Sequence, residues 1–128
     1  MPREPRNPRT DPQRDPAWLY DMVVAAEKVR SFVAGRTFEE CLADEMLRSA
    51  VERQVEIIGE AARRLTKAFR DAHPQIPWNP IMAQRHRLAH DYDEIMDEVI
   101  WKVATVHVPE WIVLVKPLIP PTPPEGSA

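Results

Sequence analysis

EMLRSAVERQVEIIGEAARRL, residues 45–65, is the stretch from which the fold can be read. Leu47, Val51, Val55, Ile58, Ala61 and Leu65 recur at spacings of three and four. On a helix of 3.6 residues per turn that pattern draws one apolar stripe, which has to be covered by other helices. Asp44, just ahead of the stretch, supplies a side chain able to accept from the first free amides.

The same grammar extends in both directions. Toward the N-terminus, Thr37 with Glu40 three residues later has the form of a capping box and predicts a short helix. Gly35 is a natural stop for a first helix over about Ala17–Ala34, with Leu19, Met22, Val23, Ala26, Val29 and Val33 on one side. Toward the C-terminus, Thr66 is placed to cap a short turn through Phe69 and Ala72 that ends near Pro74. Asn79 followed by Pro80 predicts a further helix start, carrying Ile81 through about His90. Asp93 then caps a last long segment, Glu94 to about Leu118, with a bend expected at Pro109.

Ten of the fourteen prolines crowd the two ends, five within residues 1–16 and five within 117–124. Residues 1–16 and 119–128 are therefore expected to be flexible tails around one helical domain, 17–118. No part of that domain shows sustained strand-type alternation. The expected architecture is all-α, an antiparallel bundle of four or five helices joined by short connections.

Composition narrows the function. A chain of 128 residues has room for one core, and a formal net charge of −3 argues against a general polyanion binder. Any RNA chemistry has to be local. A single cysteine, Cys41, cannot close an internal disulfide, so a reducing cytoplasm is the expected compartment. The first residues lack the apolar core of a signal peptide, and no apolar run is long enough for a membrane span.

The densest chemistry is Arg85-His86-Arg87-Leu88-Ala89-His90-Asp91-Tyr92. Cleaving RNA without a metal requires a base for the ribose 2′-hydroxyl, an acid for the departing 5′-oxygen, and a cation for the charge that builds on the phosphate. Histidine titrates near neutrality and suits either proton role, and arginine presents a fixed fork to phosphate oxygens. Arg85 and His90 are candidates for the chemistry, His86 and Arg87 for holding substrate. On a regular helix, however, Arg85 and His90 would stand about 140° apart. A distorted helix end, or a two-fold dimer facing two copies across one cleft, would have to bring them together. Solvated side chains on a polar face are the plainer alternative for Arg87, and Tyr92 could simply cover a helix end.

His86 and His90 also stand four apart, a spacing that puts two imidazoles on one helix face. Arg87 holds the place where a metalloprotease helix carries glutamate, and its charge would repel a cation. Asp91 or His107 could complete such a site, but no metal or other cofactor is expected. Serine-hydrolase and phosphate-loop motifs are absent from the sequence.

Taken together, Thr37-Phe38-Glu39-Glu40, Ala50-Val51-Glu52-Arg53, Ile57-Ile58-Gly59-Glu60-Ala61-Ala62, Ile76-Pro77-Trp78 and the Arg85–Tyr92 stretch resemble the HepT-like branch of the HEPN superfamily. These are toxins of nucleotidyltransferase-linked toxin–antitoxin pairs, and the resemblance runs from about Trp18 to Leu118. It implies a dimeric helical bundle and metal-independent RNA cleavage with Arg85 and His90 as the core pair. It further implies a nucleotidyltransferase antitoxin that transfers AMP to Tyr92. His86 stands where this branch commonly has asparagine. A non-catalytic helper or nucleotide-binding subunit of a nucleotidyltransferase is the alternative the same resemblance allows, and a purely assembling helical partner is a third. Gly59 reads as a point of close helix approach, and Glu60 as a partner for Arg63 or Arg64.

Overall fold

The computed structural model describes residues 11–84 and 94–121, and every regular element among them is helical. A 3₁₀ turn, Pro12–Arg14, is capped by the Asp11 carboxylate, which accepts from the Gln13 amide at 3.0 Å. It leads into α1, Asp15–Val33. The helix thus starts inside the stretch that its prolines had marked as a tail. Pro16 lies in the first turn, where its missing N–H leaves no bond unmade. The six apolar residues of the expected stripe are all buried, together with Ala25. The chain leaves the helix after Val33, and Gly35 takes φ +72°, a left-handed conformation that suits glycine.

Helix α2, Phe38–Ala43, opens on the expected capping box. The Glu40 amide donates to Thr37 Oγ1, the Thr37 amide donates to Glu40 Oε1, and both bonds measure 3.1 Å. Helix α3, Glu45–Arg64, begins where Asp44 Oδ1 accepts from the Leu47 amide at 3.0 Å. Helix α4, Lys67–Ala72, begins where Thr66 Oγ1 accepts from the Phe69 amide at 3.1 Å.

The fifth helix departs from expectation. Helix α5 is Trp78–Met82, so Asn79 and Pro80 lie inside it, and Pro77 stands at the cap without a side-chain bond. Trp78 explains the earlier start. Its indole Nε1 donates to the carbonyls of Arg70 and His73, each at 3.0 Å, and its ring packs edge-on against Phe69. This docking draws Trp78 into the first turn. The helix also stops early, with Ala83 as its cap, well short of His90.

Helix α6, Glu94–Lys102, runs into a π-helical turn, Val103–His107, and then α7, Val108–Val115, followed by a 3₁₀ turn, Lys116–Leu118. The irregularity expected at Pro109 is present just ahead of it. Proline cannot donate to the carbonyl four residues back, and the ladder widens there: the Val108 amide bonds the Val103 carbonyl instead.

The core is built on α1 packed along α3, with α7 against α1 and α5 against α3. Leu19, Val29, Val51, Ile58, Leu65, Ile81, Val108 and Val115 are among its fully buried side chains. Each such aliphatic group contributes about 1.5–3 kcal/mol on burial. Among the described residues one acidic side chain is buried. Asp15, at the start of α1, is 5% exposed, and its two carboxylate oxygens accept from the Thr66 amide and the Thr66 hydroxyl, each at 2.8 Å. The first turn of α1 is thereby tied to the cap of α4.

Candidate active site

Arg85, His86, Arg87, His90 and Tyr92 lie outside the described residues, as do Asp91 and Asp93. The structure does define how the chain is held as it enters that stretch. Helices α3, α4 and α5 each end in carbonyls that have no partner within the helix, and each set receives donors from a side chain elsewhere.

Arg70 Nη1 donates to the carbonyls of Leu65 at 2.7 Å and of Ala62 and Arg63 at 3.3 Å, closing the end of α3. The Trp78 indole closes the end of α4. Arg63, on α3, closes the end of α5: its Nη1 donates to the carbonyl of Met82 and, at 3.3 Å, to that of Gln84. A fixed positive charge at a helix C-terminus is favourable both as a hydrogen-bond donor and against the helix dipole.

Gln84, the residue before Arg85, is held at several points. Its amide donates to the Ile81 carbonyl at 3.2 Å, its side-chain Nε2 donates to the Pro80 carbonyl at 3.1 Å, and its own carbonyl accepts from Arg63. Gly59 allows the approach. A Cβ there would overlap the Gln84 carbonyl oxygen and lie 2.9 Å from that of Ile81. The close approach expected of Gly59 is therefore made to α5.

Glu60 pairs with Arg64, Oε1 to Nη2 at 3.0 Å, which leaves Arg63 to the end of α5. Sequence offered both arginines as partners for Glu60 and gave no sign that one would cap a helix 19 residues downstream. Trp18 is met by two guanidiniums, those of Arg14 and Arg64, at 5.3 and 5.2 Å from its ring centre. A recess beside it is lined by Trp18, Asp21, Ile57, Glu60, Ala61 and Arg64. Burial raises the Asp21 carboxyl above its ordinary value.

His107, weighed above as a metal ligand, lies over the Trp111 ring at 6.4 Å with Glu110 Oε2 3.8 Å from its Nδ1. Among the described residues no group of three histidine, cysteine or carboxylate side chains could hold a metal ion. No described helix is long and apolar enough to cross a membrane.

A family profile described as "Ribonuclease HepT-like" matches residues 22–118, which takes in α1 from Met22, helices α2 to α5 and the whole Arg85–Tyr92 stretch. The chain belongs to the HepT-like ribonuclease family. A Methanocaldococcus jannaschii protein named as a candidate RNase is 35% identical over 103 residues, covering 80% of this chain and 85% of the relative. The "Probable ribonuclease HepT" of Thermococcus cleftensis is 35% identical over 92 residues, covering 72% of this chain and 84% of the relative. No solved structure matches the chain. Among the described residues of this HepT-like chain the regular elements are all helical, as expected from sequence, and Gln84 is the last described residue before Arg85.

Proposed function

We propose that this HepT-like protein is a metal-independent endoribonuclease, the toxin of a pair whose nucleotidyltransferase partner silences it by AMP transfer to Tyr92. The observation that carries the reading is the family match over residues 22–118, a range that contains Arg85, His90 and Tyr92 in the order and spacing of the motif.

In this mechanism the ribose 2′-hydroxyl attacks the adjacent phosphorus and the 5′-oxygen leaves. His90 supplies general acid–base catalysis: its neutral ring accepts the hydroxyl proton, or its protonated ring donates to the leaving oxygen. Arg85 steadies the phosphate and the charge that grows on it in the transition state. His86 and Arg87 bind neighbouring phosphates. A homodimer brings two such stretches to one cleft, so that one histidine of each copy takes each proton role. AMP on the Tyr92 oxygen places an anionic, bulky group at the cleft, where it competes with RNA phosphate.

The test is cleavage of RNA by the purified full chain with chelator present. Arg85→Ala and His90→Ala each lower the rate by about 10²- to 10⁴-fold while the helical spectrum and the sedimenting mass stay unchanged. Wild-type rates in either variant would sink the assignment. Tyr92→Phe keeps RNA cleavage but no longer accepts labelled AMP from the partner enzyme.

A further inference from the structure

We propose that Arg63 is a positioning residue for the ribonuclease site: its guanidinium, seated over the glycine gap at Gly59, fixes the Gln84 carbonyl and so the direction in which the chain leaves for Arg85. The inference deepens the nuclease reading and rests on it.

Arg63 Nη1 reaches two carbonyls two residues apart, Met82 and Gln84, across 19 and 21 residues of sequence. A peptide unit is planar, so a carbonyl held in place also holds the bond that leads to the next residue. The Gln84 amide and side chain are bonded back onto Ile81 and Pro80, while its carbonyl is turned toward α3 at Gly59. Arg63 takes that group.

The surroundings are built for this contact. Gly59 lies one turn before Arg63 on the same face of α3, and any side chain there would push Gln84 away. The neighbouring charges are otherwise engaged, Glu60 with Arg64 and Arg70 with the end of α3. Helix α5 has only five residues and no side-chain cap at its start, so its own hydrogen bonds hold its C-terminal end weakly. A donor from the longest helix supplies what α5 lacks. A displacement of about 1 Å at a catalytic group can lower a rate about 100-fold, so an anchor one residue upstream of Arg85 bears on turnover rather than on substrate affinity.

The experiment compares Arg63→Met, Arg63→Lys and Arg85→Ala with the wild-type full chain, using chelator-treated cleavage of a fluorescent oligoribonucleotide and amide hydrogen exchange. Arg63→Met is expected to lower kcat by about 30- to 100-fold with KM within about twofold, and to speed exchange at the Ala83 and Gln84 amides while α1 and α3 stay protected. Arg63→Lys, which keeps a charged donor within reach, is expected to recover most of the lost kcat and much of the protection. Should Arg63→Met fail to fold, Arg63→Lys and Arg63→Gln carry the same comparison through their graded loss of donors.

Wild-type kcat in Arg63→Met, or unchanged exchange at Ala83 and Gln84, overturns the inference while leaving a dead Arg85→Ala to uphold the nuclease. An Arg85→Ala variant that cuts normally overturns the nuclease reading, and the positioning role falls with it. The exchange data then show separately whether Arg63 anchors Gln84.

Discussion

The seam between α1 and α3 and the shoulder where α3 meets α5 use the same long helix in opposite ways. Along the seam, α3 presents Val51, Val55, Ile58 and Ala62 to Leu19, Met22, Ala26 and Val29 of the buried core, and the contact is one of apolar area. At the shoulder, the next face of α3 presents Gly59 and Arg63, and the contact is one of donors set on carbonyls. Apolar area is non-directional and gives stability; paired donors and acceptors are directional and give position. One helix therefore holds the domain together with one face and aims the entry to the candidate site with another.

Substitutions on the two faces should separate those roles. Ile58→Ala, in the seam, is expected to lose about 2–5 kcal/mol of stability, read by chemical denaturation, with cleavage per folded molecule unchanged. A matching loss of kcat at temperatures where the variant is folded would break the comparison. Asp15→Ala removes a charged acceptor and strands the Thr66 amide and hydroxyl, and is expected to lose about 2–3 kcal/mol, again without effect on turnover. Gly59→Ala belongs to the shoulder. Helix propensity favours alanine by about 1 kcal/mol, while overlap with the Gln84 and Ile81 carbonyls costs about 1–3 kcal/mol, so stability should fall by up to about 2 kcal/mol and kcat should fall as well.

The smallest effect is expected at Asp21. Its raised carboxyl pKa means that the folded chain holds a proton more firmly than the unfolded chain does. Stability therefore declines as pH rises from the ordinary carboxylate value through the raised one. Asp21→Asn should raise the midpoint of thermal unfolding slightly at pH 7, and the advantage should vanish in acid. An advantage that grew in acid would contradict the direction of the shift.

The seam was legible in the sequence because its signals are local and periodic. Leu19 to Val33 and Val51 to Leu65 announce their buried faces by spacing alone, and Thr37, Asp44 and Thr66 cap the helices they were expected to cap. The shoulder was less legible because its partners are distant. Nothing near Arg63 distinguishes it from Arg64, and only the folded chain assigns one to α5 and the other to Glu60. Asn79-Pro80 looked like a helix start, but tertiary docking of the Trp78 indole moved the start upstream. Asp15 was obscured by the surrounding prolines, although a proline in the first turn is itself a helix-start signal. The chemistry at Arg85, His90 and Tyr92 was read from residue types and the family motif, and those residues stand outside the described chain.

The bond from Asp15 to Thr66 has a further consequence for alignment. Ala25, Ala26, Ala61 and Ala62 are buried on α1 and α3, and where two helices meet through small side chains one can slide along the other with little penalty. A slip of one turn, about 5.4 Å, would carry the carboxylate away from its two donors and strand it in apolar surroundings. The bond thus acts as an index pin, selecting a single lengthwise setting from several that oily contact by itself would accept.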